Sequence, residues 1–339
     1  MSIFFPRPLG GEVRRCELKS EVLQGNALQD PLLREVFVYT PPGYDEKQQY
    51  PVVFILPGFG STPRALLNFD PLKPNIVELF DALISNGECA PAILVLPDAT
   101  NAWGGSQFVD SPVASYQRFL VDEVVAFVDA HFSTLAQAQS RAVVGRSSGG
   151  FGALRIALDR PGVFSVVGSH AGDAAFEVSL KPMLLRAAVC YHAEGGLEAF
   201  ARRMQEEGPK SGADHEALFV LAAATAYSSD PALPWPYVAM PFDSEHGGLN
   251  TEVWSQWLKH DPVLRIKEVP DSVLQSLSYT FIDAGNADEC GLQFAARQLH
   301  NVLETRGVHV VYEEFAGGHR GTSWRYKHSL PLLIAALKH

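Results

Sequence analysis

The chain has 339 residues, 47% of them hydrophobic and 19% charged, and a formal net charge of −11 at pH 7. The acidic balance argues against nucleic acid as a partner, because binding a phosphate backbone needs clustered Lys and Arg. No apolar run approaches the roughly 18 residues of a membrane span, and the length is ample for a large buried core, which α/β sheets of this size often complete as one domain.

The opening stretch, MSIFFPRPLGGEVRRCELKS, has no basic n-region and no long apolar h-region. A secretory signal is therefore not expected, and the expected location is cytoplasmic. Cys16, Cys89, Cys190 and Cys290 lie far apart, with no C-x-x-C and no Cys and His set at zinc spacing. Buried free thiols are expected, without a disulfide framework or a metal site.

EVFVYT, residues 35–40, reads as a strand stopped by Pro41-Pro42-Gly43. PVVFILPGFG (51–60) and PAILVLPDAT (91–100) are short apolar runs closed by Pro, Gly or Asp, the form of strands buried on both faces. Between them NIVELFDALISNG has helical spacing and a stop at Gly87, and a further helix is expected from Gln117 to about His131. A strand before Gly145, a helix from Gly150 to Leu158 and a strand over VFSVVGSH (163–170) follow. This alternation predicts a mostly parallel sheet flanked by helices, with function at the carboxyl ends of its strands. From about residue 174 to 272 the pattern turns helical and Pro-jointed, as expected of a cap inserted into a single domain spanning 1–339. Alternation then resumes with SLSYTFIDAG, the helical ECGLQFAARQLHNVLETRG, VHVVYEEF and a closing helix near Leu330 to Leu337.

Gly145-x-Ser147-x-Gly149 has the nucleophile-elbow form, and it stands between a predicted buried strand and a predicted helix. Small residues two before and two after the serine let strand and helix approach closely around a strained turn. That turn presents the Ser147 hydroxyl and frees the N–H of Ser148. A serine needs a base, and the base needs a carboxylate to orient it, in the chain order Ser, Asp or Glu, His. Asp288, past the strand SYTFIDAG, and His319, past VHVVYEEF, fill those positions at the same sheet edge as Ser147. Asp283 and Asp173 are rival acids. Asp283 otherwise reads as a hydrogen-bonded strand-end residue, His170 as a packing or cavity residue, and His328 as a surface or packing residue of the last helix.

An oxyanion site needs a second donor, and the Phe59 amide is favoured, with Gly60 next, in the glycine-rich loop Pro57 to Ser61. The loop Asp98 to Ser106 should face the same cleft, where Trp103 could form an apolar wall.

Taken together, VFVYTPPGYDEKQQYPVVFILPGFG, LPDATNAWGGSQFVDS, VVGRSSGGFGAL, IDAGNADE and EFAGGH resemble the esterase family of α/β-hydrolases that includes S-formylglutathione hydrolases, feruloyl esterases, enterochelin esterases and mycolyltransferases. The resemblance runs from about residue 34 to 325 and implies an α/β-hydrolase fold and a Ser147, His319, Asp288 triad. Arg146 and Ser148 stand where many members have His and Met, and Pro57 where many have His. The expectation is a serine carboxylic-ester hydrolase acting on a small to medium acyl ester or thioester through an acyl-enzyme, with no metal or organic cofactor. Trp103, Arg146 and Asp173 are candidate substrate-binding residues, and a homodimer is an open alternative to a monomer. The alternatives in function are an acyltransferase with the same triad, or a catalytically silent binding protein on the same fold.

Overall fold

The structure is a computed structural model that describes residues 7–339. Residues 1–6, the start of the stretch tested for a signal, lie outside the described residues. Eight strands form one sheet: β1 (Glu12–Lys19), β2 (Leu33–Thr40), β3 (Val52–Leu56), β4 (Ile93–Pro97), β5 (Arg141–Arg146), β6 (Val166–His170), β7 (Tyr279–Gly285) and β8 (Val310–Phe315). Their spatial order is β1-β2-β4-β3-β5-β6-β7-β8, with β2 antiparallel to both its neighbours and every pair from β4 to β8 parallel.

The central strands read as continuous apolar runs because both faces are covered. Val52, Phe54, Leu56, Val143 and Ile282 join one hydrophobic core, whereas Val53, Ile55, Ala142, Val144 and Phe281 join the core on the other face. The helix Ile76–Ser85 covers the second face and begins with a capping box, in which Asn75 accepts from the Glu78 N–H and the Glu78 carboxylate accepts from the Asn75 N–H. The helical stretch expected from Gln117 runs Tyr116 to His131 and contains a π-helical segment, Phe119–Val124.

Several elements depart from the sequence reading. The first strand, EVRRCELK, was not anticipated: it is an edge strand with charged side chains, among them Arg15 paired to Glu35 at 2.5 Å, so its apolar signal is weak. β6 begins at Val166, not 163, and the closing helix begins at Tyr326 and carries Pro331 within it.

Between β6 and β7 the chain is helical, with Lys181–Ala193, Leu197–Glu207, Gly212–Tyr227 and Thr251–Leu258 packed around Leu184, Tyr191, Phe200, Leu221 and Trp257. Trp103 and Phe151, from the sheet side, belong to the same cluster. Val263 and Ile266, on the helix Pro262–Glu268, instead join the core on the sheet. Among the described residues no helix is long and apolar enough to cross a membrane.

Candidate active site

The turn after β5 puts Ser147 at φ 56°, ψ −127°, a backbone conformation that L side chains rarely adopt. The surroundings impose it. The Ser147 N–H donates to the His170 carbonyl at 2.9 Å, and the helix Ser148–Asp159 starts at the next residue, two earlier than its apolar spacing suggested. The motif's glycines are steric requirements. A Cβ on Gly145 would lie 2.3 Å from the carbonyl carbon of Gly149, and a Cβ on Gly149 would lie 2.1 Å from the Leu56 carbonyl oxygen.

Three loops bring the remaining groups to this turn. His319 Nε2 lies 3.1 Å from Ser147 Oγ, and His319 Nδ1 lies 2.9 Å from Asp288 Oδ2. The Asp288 side chain is fully buried, and its other oxygen accepts the Cys290 N–H at 2.8 Å. Both carboxylate oxygens are thereby fixed, which aims the imidazole. The His319 backbone is held as well: its N–H donates to Glu289 Oε2 at 2.8 Å, and its carbonyl accepts from Arg146 Nη1 at 2.8 Å. That bond turns one nitrogen of Arg146, a substrate-binding candidate from the sequence, onto the His319 loop. It supports the histidine loop and also approaches Thr322 Oγ1 at 3.5 Å. Sequence reasoning missed Glu289, although its place directly after Asp288 was the available signal.

The loop Pro57 to Ser61 passes close to Ser147, since a Cβ on Gly58 would lie 3.5 Å from Ser147 Cβ. The Phe59 and Ser148 N–H groups have no acceptor among the described residues. The Gly60 N–H, the alternative donor, is committed elsewhere: it donates to the Gly104 carbonyl at 3.0 Å and ties the two loops together. Trp103 is also placed differently from expectation. It is buried against Trp235 with ring centroids 5.7 Å apart, where it packs the loop beneath the helical segment between β6 and β7 instead of standing open as a cleft wall. The Phe59 ring meets His215 and Phe219 of the helix Gly212–Tyr227 edge-on, at 5.1 and 5.2 Å.

The rival residues separate cleanly. Asp283 and His170 face each other across β7 and β6, bonded at 2.7 Å, and His170 Nε2 lies 2.9 Å from Ser329 Oγ. This set resembles a triad in composition, but Ser329 is fully buried and Asp283 also takes Arg325 Nε at 2.6 Å, so it ties β6 and β7 to the last helix. His328 pairs with Glu313 at 2.8 Å on the outside. Asp173 does lie at the site: it is buried and accepts from Ser148 Oγ at 3.4 Å. Burial pushes its carboxyl up to about 6, against the opposing pull of nearby His319 and the Ser148 bond.

Asp288, Cys290 and His319 place ligand-type atoms within 4.8 Å of one another. Their chemistry does not fit a metal. Burial and the neighbouring carboxylates push the Cys290 thiol up to about 12, and the other two groups are engaged with each other.

Residues 32–331 match the family model described as "Putative esterase". An esterase of Mycobacterium tuberculosis, found in two strains, is 35% identical over 128 residues, which cover 37% of this chain and 26% of that protein. The chain thus spans about a quarter of the length of these curated relatives. Among solved structures, a ferulic acid esterase superposes with a TM-score of 0.64 at 18% identity over 97% of this chain and 100% of its own. An S-formylglutathione hydrolase from Agrobacterium tumefaciens does so with a TM-score of 0.55 at 16% identity, over 98% of each chain. At such identities the structural likeness speaks for the fold, while the family match spans most of the sequence. The chain belongs to the esterase family so described and carries the α/β-hydrolase fold.

Proposed function

We propose that the chain is a serine carboxylic-ester hydrolase that turns over a small to medium acyl ester or thioester through an acyl-enzyme, with Ser147 as nucleophile, His319 as base and Asp288 as the orienting acid. The observation that carries this reading is the unbroken chain of contacts from buried Asp288 through His319 to Ser147 Oγ. His319 Nε2 takes the hydroxyl proton as Ser147 Oγ bonds to the acyl carbon. Asp288 holds the Nδ1 proton and stabilises the imidazolium. The Phe59 and Ser148 amides receive the negative oxygen, and each such donor is worth roughly two to three powers of ten in rate. Collapse of the tetrahedral adduct expels the alcohol or thiol, which takes its proton from His319. Water then repeats the sequence and releases the acid.

The helical insertion acts in this reading as a cap over the acyl and leaving groups, through Phe219 and His215 against Phe59. Ser147→Ala tests the whole assignment. Turnover of p-nitrophenyl acetate should fall by several powers of ten, and a fluorophosphonate should label the wild type at Ser147 and leave the variant unlabelled. Near-full activity in Ser147→Ala would end the proposal.

A further inference from the structure

Gln107, which follows the Gly104-Gly105 turn, has a side chain that the triad does not explain. It is wholly buried, and neither its Oε1 nor its Nε2 has a hydrogen-bond partner among the described residues. Buried carboxamides are almost always paired, so an orphaned one demands a reason. Its backbone is also unusual: Gln107 and Phe108 are consecutive non-glycine residues at φ 53°, a conformation that persists only where the surroundings impose it.

Those surroundings are identifiable. Asn101 Oδ1 accepts the N–H groups of Trp103 and Gly105, both at 3.0 Å, and the Gly60 N–H donates to the Gly104 carbonyl. The Phe108 ring lies flush on the nucleophile helix, where a Cβ on Gly152 would come within 2.4 Å of it. The loop is therefore clamped on both sides of Gln107, and the side chain it presents is held in place.

Gln107 lines a cavity of about 10 Å³ together with Gly58, Phe59, Gly105 and Ser148. That volume is about one water-sized sphere, too small for an acyl chain but sufficient for a single oxygen atom. Two of its walls are the residues whose free amides are assigned to the oxyanion. We propose that the Gln107 side-chain amide is a third hydrogen-bond donor to the oxygen that becomes negative when Ser147 attacks. The inference rests on the acyl-transfer reading above. A donor whose bond is completed only by that oxygen stabilises the transition state more than the resting enzyme, as catalysis requires.

The test compares an oxoester with the thionoester of the same acyl and leaving groups, because sulfur is a poor hydrogen-bond acceptor. Gln107→Met, close in size and apolar, should lower kcat/KM for the oxoester by roughly 10- to 100-fold, mostly in kcat, while the thionoester is much less affected. Gln107→Glu should fall at least as far, since a buried carboxylate would repel the oxyanion. Thermal unfolding provides the structural control. Gln107→Met removes two unpartnered polar atoms from a buried site, so its Tm should hold or rise. A lowered Tm with an unchanged ratio of oxoester to thionoester rates would overturn the proposal and assign Gln107 a purely structural role. An unchanged ratio at unchanged Tm would overturn it equally. A wild type that neither turns over the oxoester nor labels at Ser147 would instead bring down the acyl-transfer reading beneath it.

Discussion

Arg146 donates from Nη1 to the backbone carbonyl of His319 at 2.8 Å, so the residue directly before Ser147 grips the loop that carries His319. The distance between Ser147, just after β5, and His319, after β8, thus depends in part on this contact. Arg146→Ala should lower kcat by roughly 10- to 100-fold with little change in KM, since misplacing a catalytic group by about 1 Å costs about that much. Labelling of Ser147 by a fluorophosphonate should slow in parallel. Steady-state kinetics giving a changed KM and an unchanged kcat would count against this support role and favour direct contact with substrate.

Asp288 and Asp283 are both buried, both bonded to a histidine and only five positions apart, yet their loss should read out differently. Asp288→Asn should reduce kcat on the order of ten-thousandfold, because the imidazole tautomer is no longer enforced. Asp283→Ala leaves Arg325 and His170 without their carboxylate and should cost about 3–5 kcal/mol in stability. Urea unfolding and single-point kinetics on both variants would separate them, and the reverse pattern would exchange their roles.

Gly149→Ala tests the steric logic of the elbow. Its Cβ would sit 2.1 Å from the Leu56 carbonyl and 2.8 Å from that of Pro57, backbone atoms that cannot swing aside. The expected result is destabilisation by about 3 kcal/mol from overpacking, together with loss of ester turnover as the Phe59 loop is pushed from Ser148. A folded variant of wild-type activity would show that the two backbones need not approach so closely.

Asp173 should make stability depend on pH. Its folded carboxyl titrates near 6, above the ordinary value of 3.8, because burial opposes its charge. The linked stability is fully present below about pH 4 and is lost as pH rises through about 6, to the extent of on the order of 3 kcal/mol. The groups facing it are Ser148, His319, Asp288, Cys290 and, from the helical segment between β6 and β7, Tyr227. Asp173→Asn should therefore raise Tm more near pH 8 than near pH 4.5. Equal gains at the two pH values would contradict a raised folded-state pKa.

Much of this arrangement was legible in the sequence, for reasons of short range. A buried parallel strand must be an apolar run, and a chain that reverses sharply from strand to helix around a serine must have glycine at positions 145 and 149. The elbow motif, the chain order Ser, Asp, His and the rule that functional groups collect at strand ends point to Ser147, Asp288 and His319 as candidates. Edge structure is not legible in this way: Glu12–Lys19 gains its strand character from pairing with β2 and not from its own composition.

What the sequence by itself determined is the succession of elements and the identity of the residues at the β5, β7 and β8 ends, since these follow from periodicity and local sterics. The tertiary structure decided which of the candidate histidines and aspartates meet the serine. His170 with Asp283 and His319 with Asp288 are alike as residue types, and only sheet order and depth put the first pair under the last helix and the second beside Ser147. The same holds for Arg146, for the Gly60 amide taken by Gly104, and for Gln107. In each case the partner, or the lack of one, is set by backbone brought together from distant parts of the chain, which no local pattern records.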